Sequence, residues 1–398
     1  MNEINNPIPS QYQTDNLILL VGTNPLPNYV AARVLWNGKG KVYFLATSET
    51  HKIAVRLVRQ LGLSAYQIMQ NIESSRANQI QETVSEAIKG MVGSIGLNYT
   101  GGTKAMGIHA YLAAKASNKG IVFSYLDARS LEMSFDGVGT FRISVGRAVQ
   151  MGVEDLLKLH GFELKEPFQT QPERLELVYA IWRNLDEWKK WAAKLRDKDN
   201  KDNKYKLIKT ADAFSNVSIP QFSDFPNDFT RHANLLELAN HWGYKNSDKR
   251  EDLAKWLEGG WLEDFVLDKM QAIAPQCGFN DGAVVSRVET KDPHFELDVV
   301  AVRGYQMIVV SCTTADKKDL VKSKLFEVYL RARQIGGEEA RVCIVSCAPD
   351  SGDSRVDIIE GEATSDLNPS SQIKVFGKED LPDLDKKLAL WINEQPLT

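Results

Sequence analysis

Two acidic side chains share one face of a predicted strand near residue 297. In the run Phe295–Val300 apolar and acidic residues alternate, which places Glu296 and Asp298 on the same side. Paired carboxylates supply the oxygen ligands that Mg²⁺ and Mn²⁺ prefer. Glu263, on a helix predicted to begin near Gly260, is the third candidate ligand. The pattern predicts a metal site, with a solvated strand edge as the alternative.

Two polar loops in the first part of the chain have the chemistry of a phosphate or ribose site. The loop Gly22–Asn28 contains two prolines, which fix the backbone into a rigid turn. The loop Asn98–Lys104 has adjacent glycines, which allow close backbone approach, and a lysine that adds charge. The helix after it offers free N–H groups to an anion. Neither a Walker A spacing nor GxGxxG is present, and a tight βα turn is the alternative.

The elements that carry these loops predict a parallel sheet covered by helices on both faces. Amphipathic stretches such as 51–62 and 76–90 separate the strands. The apolar, strand-like runs are 17–21, 42–46, 94–98 and 121–126. Ligands of open α/β sheets bind at the carboxyl edge of the strands, where both polar loops begin. We therefore predict a Rossmann-like domain over residues 1–145.

The rest of the chain predicts a helix-rich linker over 146–250 and a second α/β domain over 251–398. The linker contains three tryptophans, which we expect in a core, and a charged run at 196–206 that predicts an exposed loop. The second domain combines a hairpin with a long helix that ends at Gly336 and Gly337, a typical C-cap. Its predicted elements are strand 283–289, hairpin 295–302 and 305–312, helix 319–334 and strand 342–347.

Composition excludes several classes of protein. The 398 residues are 43% hydrophobic, and the net charge of −4 argues against a strongly basic nucleic-acid coat. The four cysteines form no CxxC pair, and we expect them to be buried thiols in a reducing compartment. No apolar run is long enough for a bilayer, and no secretory signal is visible. We expect a cytoplasmic protein without a membrane partner.

The loop pair Gly22–Asn28 and Asn98–Met106 resembles the CARF domain, the sensor of cyclic oligoadenylates in type III CRISPR systems. The resemblance covers about the first 145 residues. It implies that the activating ligand is a cyclic oligoadenylate, with cyclic tetra-adenylate favoured, bound between two copies of the chain. A ring with two-fold symmetry needs two loop pairs, and each chain has one, so the implied assembly is a homodimer.

The same resemblance implies which residues contact the ligand. Thr23, Asn24, Thr103 and Lys104 would line the site, and the polar residues after the second strand would approach an adenine. The candidate ligand-binding residues are Gly22, Thr23, Asn24, Leu26, Thr47, Ser48, Thr50, Asn98, Thr100, Gly101, Gly102, Thr103 and Lys104.

The segments Gly259–Asp264, Glu296–Val300 and Arg303–Gly304 resemble the C-terminal half of the CARF-linked CRISPR ancillary nucleases, which have a PD-(D/E)xK restriction-endonuclease-like fold. This second resemblance covers about 130 residues. It implies catalytic roles for Glu263 and Asp298, a bound Mg²⁺ or Mn²⁺ with Glu296 as a further ligand, and RNA or DNA as the substrate.

The sequence departs from that family at two positions, Ser311 and Thr313. Where the family carries Glu-x-Lys, this chain reads Ser311-Cys312-Thr313, so a carboxylate and a lysine are missing. Hydroxyls carry no charge with which to hold a metal or stabilise a transition state. A replacement cation is available either in the following loop or on the next helix. The candidates are Lys317, Lys318, Lys322 and Lys324.

These features are compatible with three alternative functions. The first is a ligand-activated, metal-dependent nuclease, with Glu263, Asp298, Lys322 and Lys324 as catalytic candidates. The second is a ligand-gated binding module whose nuclease fold is inactive, because Ser311 and Thr313 replace charged groups. The third is a sensor that degrades its own ligand, with Lys104 and nearby hydroxyls aligning a ribose 2′-OH.

Overall fold

The computed structural model describes residues 6–70, 72–137, 141–196, 206–349, 356–367 and 372–394. Most of the predicted charged loop, namely 197–205, lies outside these ranges. Within them, no helix is long and apolar enough to cross a membrane.

The N-terminal part of the chain folds around a seven-stranded sheet. The strands are β1 (Asn16–Leu20), β2 (Val42–Leu45), β3 (Tyr66–Met69), β4 (Ile95–Asn98), β5 (Ile121–Asp127), β6 (Glu132–Phe135) and β7 (Phe141–Ser144). Their order in the sheet is β3-β2-β1-β4-β5-β6-β7. Strands β1 to β5 are parallel, whereas β6 and β7 pair antiparallel at one edge. The strand order changes direction between β1 and β4, which brings the loops that follow them together.

Helices cover both faces of this sheet because the side chains of its central strands alternate between two cores. Leu17 and Leu19 of β1 face a core on one side, and Ile18 and Leu20 face a separate core on the other. The covering helices are α1 (Leu26–Leu35) and α2 (His51–Leu61) on the first side and α3 (Ala77–Gly90) and α4 (Lys104–Ala116) on the second. The predicted doubly covered parallel sheet is confirmed.

After the first sheet, the described residues up to Lys255 form seven α-helices. They are α5 (Val153–His160), α6 (Leu175–Arg183), α7 (Leu185–Ala192), α8 (Ala211–Ser215), α9 (Asn227–Thr230), α10 (Leu235–His241) and α11 (Ser247–Lys255). Trp188 and Trp191 are buried here, as predicted, in a core that includes Val299 and Val310. Most of this helical region therefore covers a face of the second sheet.

The C-terminal part is a five-stranded mixed sheet between two helical layers. Its strands are β8 (Val284–Glu289), β9 (Glu296–Arg303), β10 (Gln306–Thr313), β11 (Arg341–Ser346) and β12 (Ile373–Phe376). Their order is β12-β11-β10-β9-β8, with β10 to β12 parallel and β8 to β10 antiparallel. The helices are α12 (Trp261–Ala272), α13 (Ala274–Cys277), α14 (Lys318–Gly336), α15 (Val356–Leu367) and α16 (Leu384–Asn393). The predicted α/β fold class is confirmed.

The two sheets share one hydrophobic core. Leu17 and Phe44 of the first sheet belong to the same buried cluster as Val300 and Val309 of the second. Helix α5 supplies the connection, since its buried face, including Leu156, joins that cluster. The boundaries 1–145, 146–250 and 251–398 stay a prediction.

The hairpin turn between β9 and β10 also joins the two parts. Gly304 has a φ of +61°, and a Cβ added there would lie 1.8 Å from the carbonyl oxygen of Gly146. The Met151 N–H donates a 2.9 Å hydrogen bond to the Gly304 carbonyl. The turn therefore requires glycine both for its backbone conformation and for the space it leaves.

We expect Gly304→Ala to lower the free energy of unfolding more than Gly38→Ala does. Both glycines have positive φ, but nothing lies within 4 Å of a Cβ at Gly38. The control should lose about 1–2 kcal/mol from backbone strain alone. Gly304→Ala should lose about 1–3 kcal/mol more from the clash with Gly146. Urea unfolding followed by circular dichroism measures both, and equal losses would contradict the close packing of this turn.

Candidate functional site

The carboxyl edge of the first sheet carries two adjoining cavities. The larger, about 610 Å³, lies along the loop after β4 and the start of α4. The smaller, about 380 Å³, lies between the loops after β1, β2 and β4. Gly102 and Thr103 line both, so the cavities meet at the glycine loop.

The glycines bring the loops into contact. A Cβ on Gly22 would lie 3.0 Å from the Gly102 nitrogen, and one on Gly101 would lie 2.1 Å from the Leu20 carbonyl oxygen. Gly102 has a φ of +74°, which favours glycine. The chain then turns into α4, whose N-cap Thr103 accepts a 3.2 Å hydrogen bond from the Met106 N–H.

Ten of the thirteen predicted ligand residues line these cavities. Thr47 and Thr50 form a local network at the start of α2, with their hydroxyl oxygens 3.2 Å apart, whereas Ser48 is exposed. The smaller cavity contains Gly22, Thr23, Thr47, Ser48, Thr50, Gly102 and Thr103. The larger contains Thr100, Gly101, Gly102, Thr103 and Lys104.

Three predicted ligand residues lie elsewhere. Leu26 is fully buried in α1. Asn98 is also buried, and its side-chain amide donates a 3.1 Å hydrogen bond to Ser124. Asn24 faces the second sheet, where its Nδ2 lies 3.4 Å from Glu339 Oε2. The sequence grouped these three residues with the ligand loops but did not indicate which way their side chains point.

The sequence missed several residues that line the larger cavity. Tyr99 donates a 2.9 Å hydrogen bond to Asp136, and Tyr125 lies near the carboxyl end of the neighbouring strand β5. Burial, reinforced by the negative charge of Asp127, raises the pKa of Tyr125. The rule that located the other loops, namely the carboxyl edge of a parallel strand, would also have indicated Tyr125.

Glu339, the partner of Asn24, is an unusual carboxyl group. Its side chain is fully buried, and its Oε1 has no hydrogen-bond partner within the described part of the chain. Burial raises its pKa to about 7, although hydrogen bonding, including that from Asn24, opposes the shift. His160 lies on the other side of Asn24, with Nε2 3.2 Å from Oδ1. Burial lowers the pKa of His160 to about 4.

The second candidate site is a cavity of about 170 Å³ on the C-terminal sheet. It lies between the acidic face of β9 and helix α14. Its lining residues are Glu296, Asp298, Ser311, Lys324, Glu327, Val328 and Arg331. The structure therefore brings the two strand carboxylates together with a lysine from the helix.

Asp298 is the centre of this cavity. It accepts hydrogen bonds of 2.9 Å from the Ser311 hydroxyl and 2.6 Å from the Cys312 N–H. Lys324 Nζ lies 3.4 Å from the same Oδ2 atom. Burial lowers the pKa of Lys324, but the neighbouring acidic groups, Asp298 first among them, together outweigh burial and raise the pKa above its ordinary value. Ser311, which stands where the resembling nuclease family has a glutamate, thus orients the Asp298 carboxylate.

Lys322 and Lys324 point in different directions. Lys322 Nζ lies 3.3 Å from Glu362 on α15, and Lys318 pairs with the same carboxylate. Of the two helix lysines proposed as catalytic, the structure brings Lys324 to Asp298. Residues two apart on a helix do not share a face, which explains the difference.

Glu263 is largely buried in the first turn of α12. Burial, and then the negative charge of Asp298, raises its pKa to about 8. The two carboxylates are therefore close enough to repel each other. Arg287 opposes this effect, with its Nε 3.5 Å from Glu263 Oε2.

Arg287 is the main residue of this site that the sequence did not indicate. It lies on β8 with a φ of +54°, and it contacts carboxylates of Glu173 and Asp264 at 3.9 Å and 3.1 Å. Asp264 in turn accepts a 2.6 Å hydrogen bond from Trp256. These partners are far apart in the sequence, so no local pattern joins them.

Comparison with known proteins agrees with both resemblances. Residues 250–395 match the family model of the Card1-like endonuclease domain. The fold of the whole chain is shared with two solved structures. Can2 from Sulfobacillus thermosulfidooxidans, solved in complex with cyclic tetra-adenylate, is 17% identical with a TM-score of 0.66, over 95% of this chain and 99% of that one. Protein VC1899 from Vibrio cholerae is 16% identical with a TM-score of 0.66, over 96% and 99%.

No curated protein sequence matches the chain. The chain is thus an α/β protein in which a Rossmann-like domain precedes a part that is similar to an endonuclease domain. The predicted resemblance to CARF-linked nucleases is confirmed by that domain match and by the shared fold.

Glu339→Gln should gain stability relative to the natural protein as the pH rises. Folded Glu339 stays protonated up to a pKa of about 7, whereas the unfolded chain ionises near 4.5. Its contribution to stability is therefore present below pH 4.5 and is lost as the pH rises through 7. Glutamine does not titrate, so the variant should gain about 2 kcal/mol between pH 5 and pH 8.

The free energy of unfolding from urea titrations at the two pH values measures this gain. Glu338→Gln, next to it but exposed, is the matched control and should show no comparable gain. An equal pH response of the two variants would show that Glu339 is not buried as described.

Proposed function

We propose that the protein is a cyclic-oligoadenylate-activated, metal-dependent nuclease that works as a homodimer and cleaves RNA or DNA. The observation that carries the proposal is Lys324, whose amine lies 3.4 Å from Asp298. It returns a positive charge to an acidic site in which Thr313 stands where the related nucleases have lysine. The match of residues 250–395 to an endonuclease domain supports the same activity.

The acidic site fits a divalent cation. Mg²⁺ is usually bound by one or two protein carboxylates, with water and substrate phosphate completing its shell. Glu263 and Asp298 are the candidate pair, because burial and then the charge of Asp298 raise the pKa of Glu263, and a cation between the two carboxylates would relieve their repulsion. Among the described residues, no group of three or more His, Cys, Asp or Glu side chains is arranged around a metal position. Glu296 also lines the cavity, and its side chain is exposed.

The chain's own groups would then act as follows. A metal held by Glu263 and Asp298 would supply an activated water and polarise the phosphate. Ser311 and the Cys312 N–H hold the Asp298 carboxylate in one orientation. Lys324 would stabilise the negative charge that develops on the phosphate during cleavage. Arg331, which lies on the same helix and lines the same cavity, would bind a neighbouring phosphate.

The cavities of the first sheet would bind the activator. They adjoin at Gly102 and Thr103, and together they offer backbone N–H groups, hydroxyls and the Lys104 amine to a phosphate ring. Can2 shares the fold over nearly its whole length and was solved with cyclic tetra-adenylate, which makes that ring the first candidate. A ring with two-fold symmetry would contact the same loops of two chains.

An exposed apolar surface formed by α4 and β5 supports a dimer. Ile108, Leu112 and Tyr125 are exposed by 58%, 49% and 40%, and all three line the larger cavity. Apolar side chains grouped at the rim of a ligand cavity indicate an interface. A second copy seated there would cover them and complete the site around the ring.

Lys324→Ala should reduce cleavage by about 10²–10³-fold, because it removes the cation beside the scissile phosphate. Lys322→Ala is the matched control, since this lysine lies against Glu362. A cleavage assay measures the effect. Purified protein and Mn²⁺ are incubated with labelled RNA, single-stranded DNA or double-stranded DNA, each with and without cyclic tetra-adenylate.

Asp298→Ala and addition of EDTA should each abolish cleavage in the same assay. If the natural protein binds the ring but cleaves no better than Asp298→Ala, the nuclease proposal fails. The inactive, ligand-gated binding module suggested by Ser311 and Thr313 would then be the function.

Leu112→Asp should convert the dimer into a monomer and weaken ring binding at least about tenfold, because it places a charge in the apolar interface. Val92→Asp is the control, since Val92 is 89% exposed and outside both cavities. Light scattering after gel filtration gives the mass, and calorimetry gives the affinity. A natural protein that stays monomeric with cyclic tetra-adenylate would contradict the dimer.

A further inference from the structure

We propose that the contact between Asn24 and Glu339 couples the ligand loop to Lys324, with helix α14 as the rigid connection. The inference rests on the proposed function, because it concerns how the activator reaches the nuclease site. It assigns positioning roles to two residues that touch neither the ring cavities nor the acidic cavity.

The first step is the direction of the ligand loop. Thr23 lines the smaller cavity, and the next residue, Asn24, points away from it. The Leu26 N–H donates a 3.0 Å hydrogen bond to Asn24 Oδ1, which holds the side chain in a tight turn. Any displacement of Thr23 by a ligand is therefore passed to Asn24 through one peptide unit and a fixed turn.

The second step is the close approach of the helix end to Asn24. Helix α14 ends at Gly336, and Gly337 follows with a φ of +68°. A Cβ on Gly337 would lie 2.2 Å from Asn24 Nδ2 and 2.4 Å from Glu339 Oε2. The glycine thus allows the backbone at the end of α14 to touch the ligand loop, a need beyond that of an ordinary C-cap.

The third step is the cost of the contact. Glu339 is a fully buried carboxyl group with one oxygen unpartnered among the described residues, an arrangement that reduces stability. Its backbone carbonyl also accepts a 3.1 Å hydrogen bond from Gln306 at the start of β10. Burial of such a group beside a ligand loop is typical of functional sites rather than of structural cores.

The fourth step is that Asn24 also contacts helix α5. His160 places Nδ1 2.9 Å from the Leu156 carbonyl and Nε2 3.2 Å from Asn24 Oδ1. A neutral imidazole has one N–H and can donate to only one of these acceptors. With the proton on Nε2, the Asn24 amide satisfies both neighbours at once, since Oδ1 faces His160 and Nδ2 faces Glu339. A displacement of the ligand loop would therefore reach α5 as well as the end of α14.

The last step is the helix itself. Helix α14 is continuous from Lys318 to Gly336, and it packs on β10, β11 and α5. Lys324 lies about 18 Å along the helix axis from Gly336, at 1.5 Å per residue. A displacement of the Gly336 end would change the separation of Lys324 from Asp298 at the other end. Glu327 and Arg331 lie on the same helix and would move with it.

The test is a mutant cycle on ligand-stimulated cleavage. We expect Glu339→Ala to reduce the ratio of cleavage with and without cyclic tetra-adenylate by about tenfold, the usual size of coupling between two sites. The ring affinity, measured by calorimetry, should change by less than about threefold. Glu338→Ala is the matched control, because Glu338 is exposed and pairs with Arg333. It should keep the natural ratio.

Asn24→Ala removes the same contact from the other side. If this one contact carries the coupling, the double variant with both Asn24→Ala and Glu339→Ala should lose no more ligand stimulation than Glu339→Ala alone. Thermal unfolding by circular dichroism checks that each variant is folded. Hydrogen exchange of the last turn of α14 gives a second readout. Its change on ring addition should be present in the natural protein and absent in Glu339→Ala.

The outcomes separate the two proposals. A natural protein that neither binds the ring nor cleaves faster with it overturns the proposed function, and the coupling falls with it. A natural protein that is stimulated, together with a folded Glu339→Ala that is stimulated equally, overturns the coupling alone. Loss of ring binding in Glu339→Ala would also overturn it, since Glu339 would then support the ligand loop rather than transmit its state.

Discussion

The burial of Asp298 is the constraint on which the C-terminal site depends. A carboxylate removed from water must be compensated, and three groups compensate it, namely the Ser311 hydroxyl, the Cys312 N–H and the Lys324 amine. Two of these lie on the adjacent strand β10, and the third comes from α14. The acid therefore joins a strand pair to a helix, and the position of that helix determines the charge around it.

The first sheet has a different constraint, because its polar loop groups must stay available to a ligand. Its loops meet because glycines replace side chains at the points of contact, as between Gly22 and Gly102. Hydroxyls that would otherwise need water are paired locally, as in the network of Thr47 and Thr50. The result is a rigid cavity edge with preformed donors, which reduces the entropy lost when a ligand binds.

Much of this arrangement follows from local sequence patterns, and the rest from contacts across the chain. Alternation along β9 predicted the shared face of Glu296 and Asp298, because side chains in a strand have a period of two. The apolar runs predicted both sheets for a different reason, since strands covered on both faces are apolar throughout. Arg287 and Glu339 were not predicted. Their partners Glu173 and Asn24 lie 114 and 315 positions away in the chain, and only the folded topology brings them together. The choice between Lys322 and Lys324 likewise required the orientation of α14.

The hydrophobic core that runs from Phe44 through Leu156 to Val300 has an evolutionary consequence. A sensor joined to an effector by a bare tether can be exchanged for another by recombination, because neither half loses packing. Here an exchange would have to preserve the shape of a buried surface that both halves fill. The two parts are therefore expected to diverge together, each substitution on one side limiting those tolerated on the other.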